Sequence, residues 1–134
     1  MSPDDSNLAA LRIVEAVRAA FPEEAAMADA ILLRDGYEED AHFTWLEHFS
    51  QFTTDAIKRL DFTRATDHLN LLSGIVAGGD EPTVRCIDVA YVESLMWDIK
   101  DDKLKREGWR RIPVNLRALY VAMWGEWPFM KGAS

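Results

Sequence analysis

Apolar residues recur at three- and four-residue steps through at least five stretches of this chain, with a proline, a glycine or a polar residue at the breaks. That period puts them on one face of a helix and does not fit the two-residue alternation of a half-buried strand. The chain is therefore expected to be all-α, with five to seven helices packed as antiparallel pairs in a single bundle or a short helical-repeat-like stack. Its 134 residues suffice for one domain with its own core. No Gly/Ser linker divides it, so residues 1–134 read as a single helical domain.

The punctuation sets the expected boundaries. Ser6 or Asn7 can cap a first helix that carries Leu8, Leu11, Val14, Val17 and Phe21. Pro22 opens a second, with Glu23 and Glu24 against its N-terminal dipole, Met27, Ile31 and Leu32 on its apolar side, and Gly36 at its end. A third is expected from Glu38 to Leu60, where Trp45, Leu46, Phe49, Phe52, Ala56, Ile57 and Leu60 share one arc with His42 and Thr53. Asp61 can cap a fourth, whose two apolar stripes suit a helix between neighbours. A fifth, from Pro82 to Lys100, is apolar nearly all round and is the expected central helix. Its β-branched residues would also suit a strand, but its length does not. A short polar helix or turn covers Asp101 to Glu107, and a last helix runs from Pro113 to about Trp124 and ends at Gly125. The tail, 126–134, reads as irregular.

Charge narrows the partners. The net charge is −8, and residues 1–70 hold all of the surplus, 14 acids against 6 bases; residues 71–134 hold nine of each. Such a chain repels nucleic acid and anionic membranes, so neither is expected as a partner, whereas a basic protein is. Plain solubility would produce the same surplus. No apolar run approaches the roughly 20 residues of a membrane span. The acidic N-terminus is unlike a secretory signal, and a cytoplasmic location is expected. Cys86 has no second cysteine to pair with, and its apolar setting reads as a small buried hydrophobe.

Few patterns carry chemistry. Glu39-x-x-His42 has the spacing of one half of a carboxylate-bridged di-iron site, but Ala65 precedes His68 and Trp45 precedes His48 where a second glutamate is needed. There is no HExxH, no GxSxG and no phosphate-cradling glycine loop, so neither metal nor cofactor is expected. Asp88 falls in the middle of the widest apolar arc of the fifth helix. A carboxylate there must be paired or take up a proton. It is expected to be substantially buried and hydrogen-bonded, either fixing helix register or lining a cleft with His42 and Tyr91. Five tryptophans are many for this length. They plug a small core or mark an interface, where indole gives large contact area and one polar handle.

Three segments carry a resemblance: WLEHF (Trp45 to Phe49), IDVAYVESLMWD (Ile87 to Asp98) and GWRRIPVNLRALY (Gly108 to Tyr120). YVExL followed by W-x-x-x-P-x-x-L-x-x-x-Y resembles a group of short bacterial proteins known only as a domain of unknown function. The resemblance covers roughly residues 40–125. It implies no catalytic residues. Similar small acidic helical proteins often sit in bacterial toxin–immunity loci.

These readings converge on a non-enzymatic protein-binding module, most concretely an immunity protein that neutralises a basic toxin by occlusion. Its contact residues would be Asp40, Glu47 and Asp55 on the polar side of the third helix, Glu38 and Glu39 in that helix's first turn, and Trp97. The alternative is a small helical enzyme or ligand-binding protein with a cleft around Asp88, His42 and Tyr91. A helical adaptor for a cellular partner is a third possibility.

Overall fold

The structure, a computed structural model, describes residues 3–131. Seven α-helices and no strand occur among them: α1 (Pro3–Ala20), α2 (Pro22–Arg34), α3 (His42–Lys58), α4 (Phe62–Gly78), α5 (Glu81–Ile87), α6 (Asp102–Arg111) and α7 (Val114–Trp124). A π turn (Asp88–Val92) continues α5, and a 3₁₀ turn (Pro128–Met130) follows α7. No helix among the described residues is long and apolar enough to cross a membrane.

Helix ends follow the local chemistry. α1 begins at Pro3, ahead of the expected caps Ser6 and Asn7, because proline is well tolerated in a first turn. Phe21 alone separates α1 from α2, and Pro22, which lacks an N–H, makes the corner. α2 ends where Gly36 turns left-handed (φ +81°) and the Tyr37 N–H reaches back to the Leu32 carbonyl at 2.9 Å. α3 ends in the same way without a glycine: Leu60 takes φ +65° while Asp61 N–H bonds the Ala56 carbonyl at 2.8 Å. Leu60, expected in the core arc, is therefore 65% exposed. Asp61 and Asp80 cap α4 and α5 by accepting from the Arg64 and Thr83 N–H groups.

The expected fifth helix is not one helix. After Ile87 the backbone widens into the π turn, closed by Glu93 N–H to the Asp88 carbonyl at 3.0 Å, and Met96 then reverses at φ +60°. Hydroxyls of α3 hold this segment in place of a continuous ladder. Ser50 Oγ donates to the Tyr91 carbonyl at 2.6 Å, and Thr54 Oγ1 accepts from the Met96 N–H at 3.0 Å. The central position is as expected, since Ala90, Tyr91, Val92, Leu95 and Met96 are buried. α3 packs against α1, α2, α4, α6 and the π turn, so the core is built around it.

Two apolar residues expected inside, Leu8 and Met27, are half exposed. Ala9, Ala10, Ala25 and Ala28 are buried instead, and small side chains let helices approach closely. The tail is less irregular than expected: Phe129 is buried edge-on to Trp109, 5.8 Å between ring centres, and Tyr120 completes the cluster. Residues 132–134 of that tail lie outside the described residues. Cys86 is buried and free, and burial pushes its thiol up to about 11.

Leu60 pays a steric cost in the left-handed region and buries little in return. Leu60→Gly is expected to raise stability by about 1 kcal/mol, measurable as a higher urea midpoint with an unchanged slope.

Candidate functional site

A groove of about 660 Å³ opens between α1, α2 and the loop that leads to α3. Its floor is braced by a polar trio. The Arg18 guanidinium donates twice to the Asp29 carboxylate, at 2.6 and 2.9 Å, and the buried Trp45 donates its indole N–H to Asp29 Oδ1 at 2.9 Å. The bonds from Arg18, and then that from Trp45, hold the Asp29 carboxyl below its ordinary range against the pull of burial. Glu15, Glu38 and Glu39 stand at the groove as exposed carboxylates, and none of them makes an ion pair among the described residues. Beside them Leu33 is 81% exposed and Tyr37 is 49% exposed. The groove therefore offers apolar contact within a negative rim.

Glu38, Glu39 and Asp40 were expected at the start of a helix. They lie in the turn before it, where Ala41 N–H bonds the Glu38 carbonyl and His42 N–H the Asp40 carbonyl, at 3.2 and 2.8 Å. Three adjacent carboxylates keep more hydration in an open turn than on a helix face. Asp40 is exposed but is not part of the groove lining.

The other expected contact residues gather elsewhere. Gln51 on α3 donates to Asp55 at 2.9 Å and accepts from the Trp97 indole at 2.6 Å. Glu47 is exposed one turn earlier. Partial loss of water, and then the nearby charge of Glu93, raise its carboxyl, with His48 opposing. Glu93 was not singled out in the sequence, although it is the glutamate of YVExL. Trp97, Trp124 and Trp127 are exposed and join Glu93 around a second cleft, of about 210 Å³.

Asp88, His42 and Tyr91 do not form a cleft. Tyr91 is fully buried, His42 lies at the acidic groove, and none of the three described cavities contains Asp88. Asp88 is only half buried, and its Oδ1 has no hydrogen-bond partner. The expected bond is missing because the π turn carries Asp88 out of the regular helical register used to place it. Burial, and then the charge of Glu93, push its carboxyl up, with Arg85 opposing.

The buried polar residues of the core are others. Glu24 accepts two bonds from Arg64, one at 2.7 Å, and faces His68 Nε2 at 2.6 Å. His68 Nδ1 meets Thr53 Oγ1 at 2.9 Å, and Thr53 Oγ1 meets the Tyr91 hydroxyl at 2.8 Å. Burial lowers the imidazole despite the opposing Glu24, so His68 is neutral. Burial pushes the Glu24 carboxyl up, but the bonds from Arg64 and His68 outweigh it and the net shift is down. With a neutral imidazole, Nε2–H donates to the carboxylate, Nδ1 accepts from the Thr53 hydroxyl, which also lies 3.3 Å from the Phe49 carbonyl, and Tyr91 O–H donates to Thr53. Thr53 and His68 are almost fully buried, so this hydroxyl–imidazole–carboxylate chain has no face for a substrate. No spacing could have revealed it, since Glu24 and His68 are 44 residues apart.

The middle of the chain should matter more than its end. Thr53→Val strands both the imidazole nitrogen and the phenol and is expected to cost about 2–3 kcal/mol, against about 1 kcal/mol for Tyr91→Phe, by chemical denaturation. A pH dependence follows as well. Folded His68 titrates below its ordinary value of 6.5, so the unfolded chain takes up a proton first as pH falls, and stability drops from about 6.5 downward. His68→Asn should be less stable at neutral pH, with a flatter melting temperature between pH 7 and about 5. Glu24, Arg64 and Asp67 are the charged groups acting on His68.

No curated protein and no solved structure matches the chain. A family match runs over residues 14–125, taking in the C-terminal part of α1 and all of α2, which the resemblance at 40–125 left out; the family is described as Domain of unknown function (DUF7674), and the chain belongs to it.

Proposed function

We propose that this chain is a non-enzymatic protein-binding module that covers a basic partner protein, and that the partner is a toxin neutralised by occlusion. One observation carries the reading: a ready-formed groove pairs exposed Leu33 and Tyr37 with the carboxylates of Glu15, Glu38 and Glu39. Apolar anchors within a like-charged rim favour an oppositely charged partner, because the rim steers the encounter and the anchors slow its release. The acid surplus of residues 1–70 supports the same sign of partner. The toxin class rests on the resemblance to small acidic helical proteins of immunity loci. The enzyme alternative has no comparable support, since its three residues are dispersed.

Co-expression with the product of the adjacent gene in the native genome tests the reading. Wild-type chain is expected to restore growth and to co-purify with that product at low salt. Glu38→Lys with Glu39→Lys should slow association by about tenfold or more and flatten its salt dependence, with the melting curve unchanged. Rescue that is indifferent to this double reversal would assign the groove no part in it. Absence of both rescue and co-purification would end the immunity reading.

A further inference from the structure

The second cleft is walled by exposed indoles that are already fixed in place. Trp97 donates its N–H to Gln51 Oε1 at 2.6 Å, Trp124 to the Glu93 carbonyl at 3.1 Å, and Trp127 to the Trp124 carbonyl at 2.8 Å. Yet the three residues remain 65%, 46% and 51% exposed. Large aromatic surface left in water, with each polar handle tied down, is a preorganised wall, and a ligand meeting it has little side-chain ordering left to impose.

Two further features set the sign of charge that this wall takes. The cleft already holds an ammonium: Lys105 Nζ lies 5.1 Å from the centre of the Phe129 ring, in the range of a cation–π contact. Glu93 belongs to the same lining, and its negative charge reaches Glu47 and Asp88 nearby.

We propose that this cleft binds a fully methylated ammonium group. An ammonium that carries N–H bonds would give up water there, and the carbonyls of Glu93 and Trp124 each already accept an indole N–H. A trimethylammonium has no such bonds to lose and keeps the full attraction of the ring faces. Lys105 then acts as an internal competitor whose side chain shares the cleft with the incoming cation. The group has two chemical sources, a small quaternary amine or a trimethylated lysine of a partner protein. The proposal is independent of the acidic groove, which lies on α1 and α2.

Calorimetric titration of the full chain with choline, with its uncharged isostere 3,3-dimethylbutanol, and with a trimethyllysine peptide beside its unmethylated form tests this. Saturable binding is expected for choline, for the methylated peptide or for both, with the isostere weaker by about fivefold or more. Tighter binding of the peptide assigns the source to a protein, and tighter binding of choline to a small molecule. Trp127→Ala and Trp97→Ala should each weaken binding by about fivefold, while Lys105→Met should strengthen it severalfold. Trp97 is the more exposed of the two and serves as the variant whose loss leaves the fold intact. Equal affinity for the isostere, affinity unmoved by both tryptophan variants, or no saturation with either cation would overturn the proposal.

Discussion

Glu24 is a charge placed inside a protein, and the fold is arranged so that it never lacks a partner. A buried carboxylate left alone costs several kcal/mol or takes a proton. Here it receives Arg64 and His68 from α4, and the chain passes through Thr53 of α3 to Tyr91 of the π turn. The rings of Phe21 and Phe49 enclose the imidazole, with centres 4.7 and 4.6 Å away. Four elements are thereby held in one relative register, because sliding any of them by a residue breaks a bond that water cannot replace. Both clefts inherit that register. The α1–α2 corner that shapes the groove is set by Phe21 beside His68, and the segment that delivers Glu93 and Trp97 follows directly on Tyr91.

The distribution of the basic residues also has a physical reading. The second half of the chain is balanced in charge, and several of its cations are held by neighbouring side chains. Arg110 and Arg111 pair with Glu107, and Arg111, Arg117 and Lys105 lie over Phe62, Trp109 and Phe129. Lys100 to Arg111 holds six bases against three acids, and two of those bases, Lys105 and Arg111, each cover an aromatic ring. The carboxylates of the first half include several with no such covering.

Periodicity made the helices readable because it reflects which side of an element faces the core, and α1, α2, α4 and α7 lie within a few residues of their expected places. It misled where long-range hydroxyls replaced the helical ladder. Pro82 to Lys100 has the pattern of one helix, yet Ser50 and Thr54, more than 40 residues upstream, capture its carbonyl and amide and open it into turns. The acidic triplet was readable as exposed but not as a turn, since helix propensity does not distinguish a first turn from the residues just before it. Glu24 reads locally as a good match for a helix dipole. Only the reach of Arg64 and His68 from α4 turns it into the anchor of the core. Glu93 carries a local signal, a carboxylate within an apolar aromatic stretch, but Asp88, five residues earlier in that stretch, carries the same one.

Cys86 gives the buried core a chemical consequence of its own. The thiolate, not the thiol, reacts with electrophiles and oxidants, and burial keeps this thiol protonated at ordinary pH as well as out of reach. Oxidative damage or alkylation at this position is therefore expected chiefly when α5 lifts from α1 and α4, against which it packs. The rate of modification at Cys86 is then the rate for an exposed thiol multiplied by the small fraction of time spent open. A chain with one such cysteine carries a clock for the breathing of a single helix, and the clock stays silent for as long as the helix stays seated.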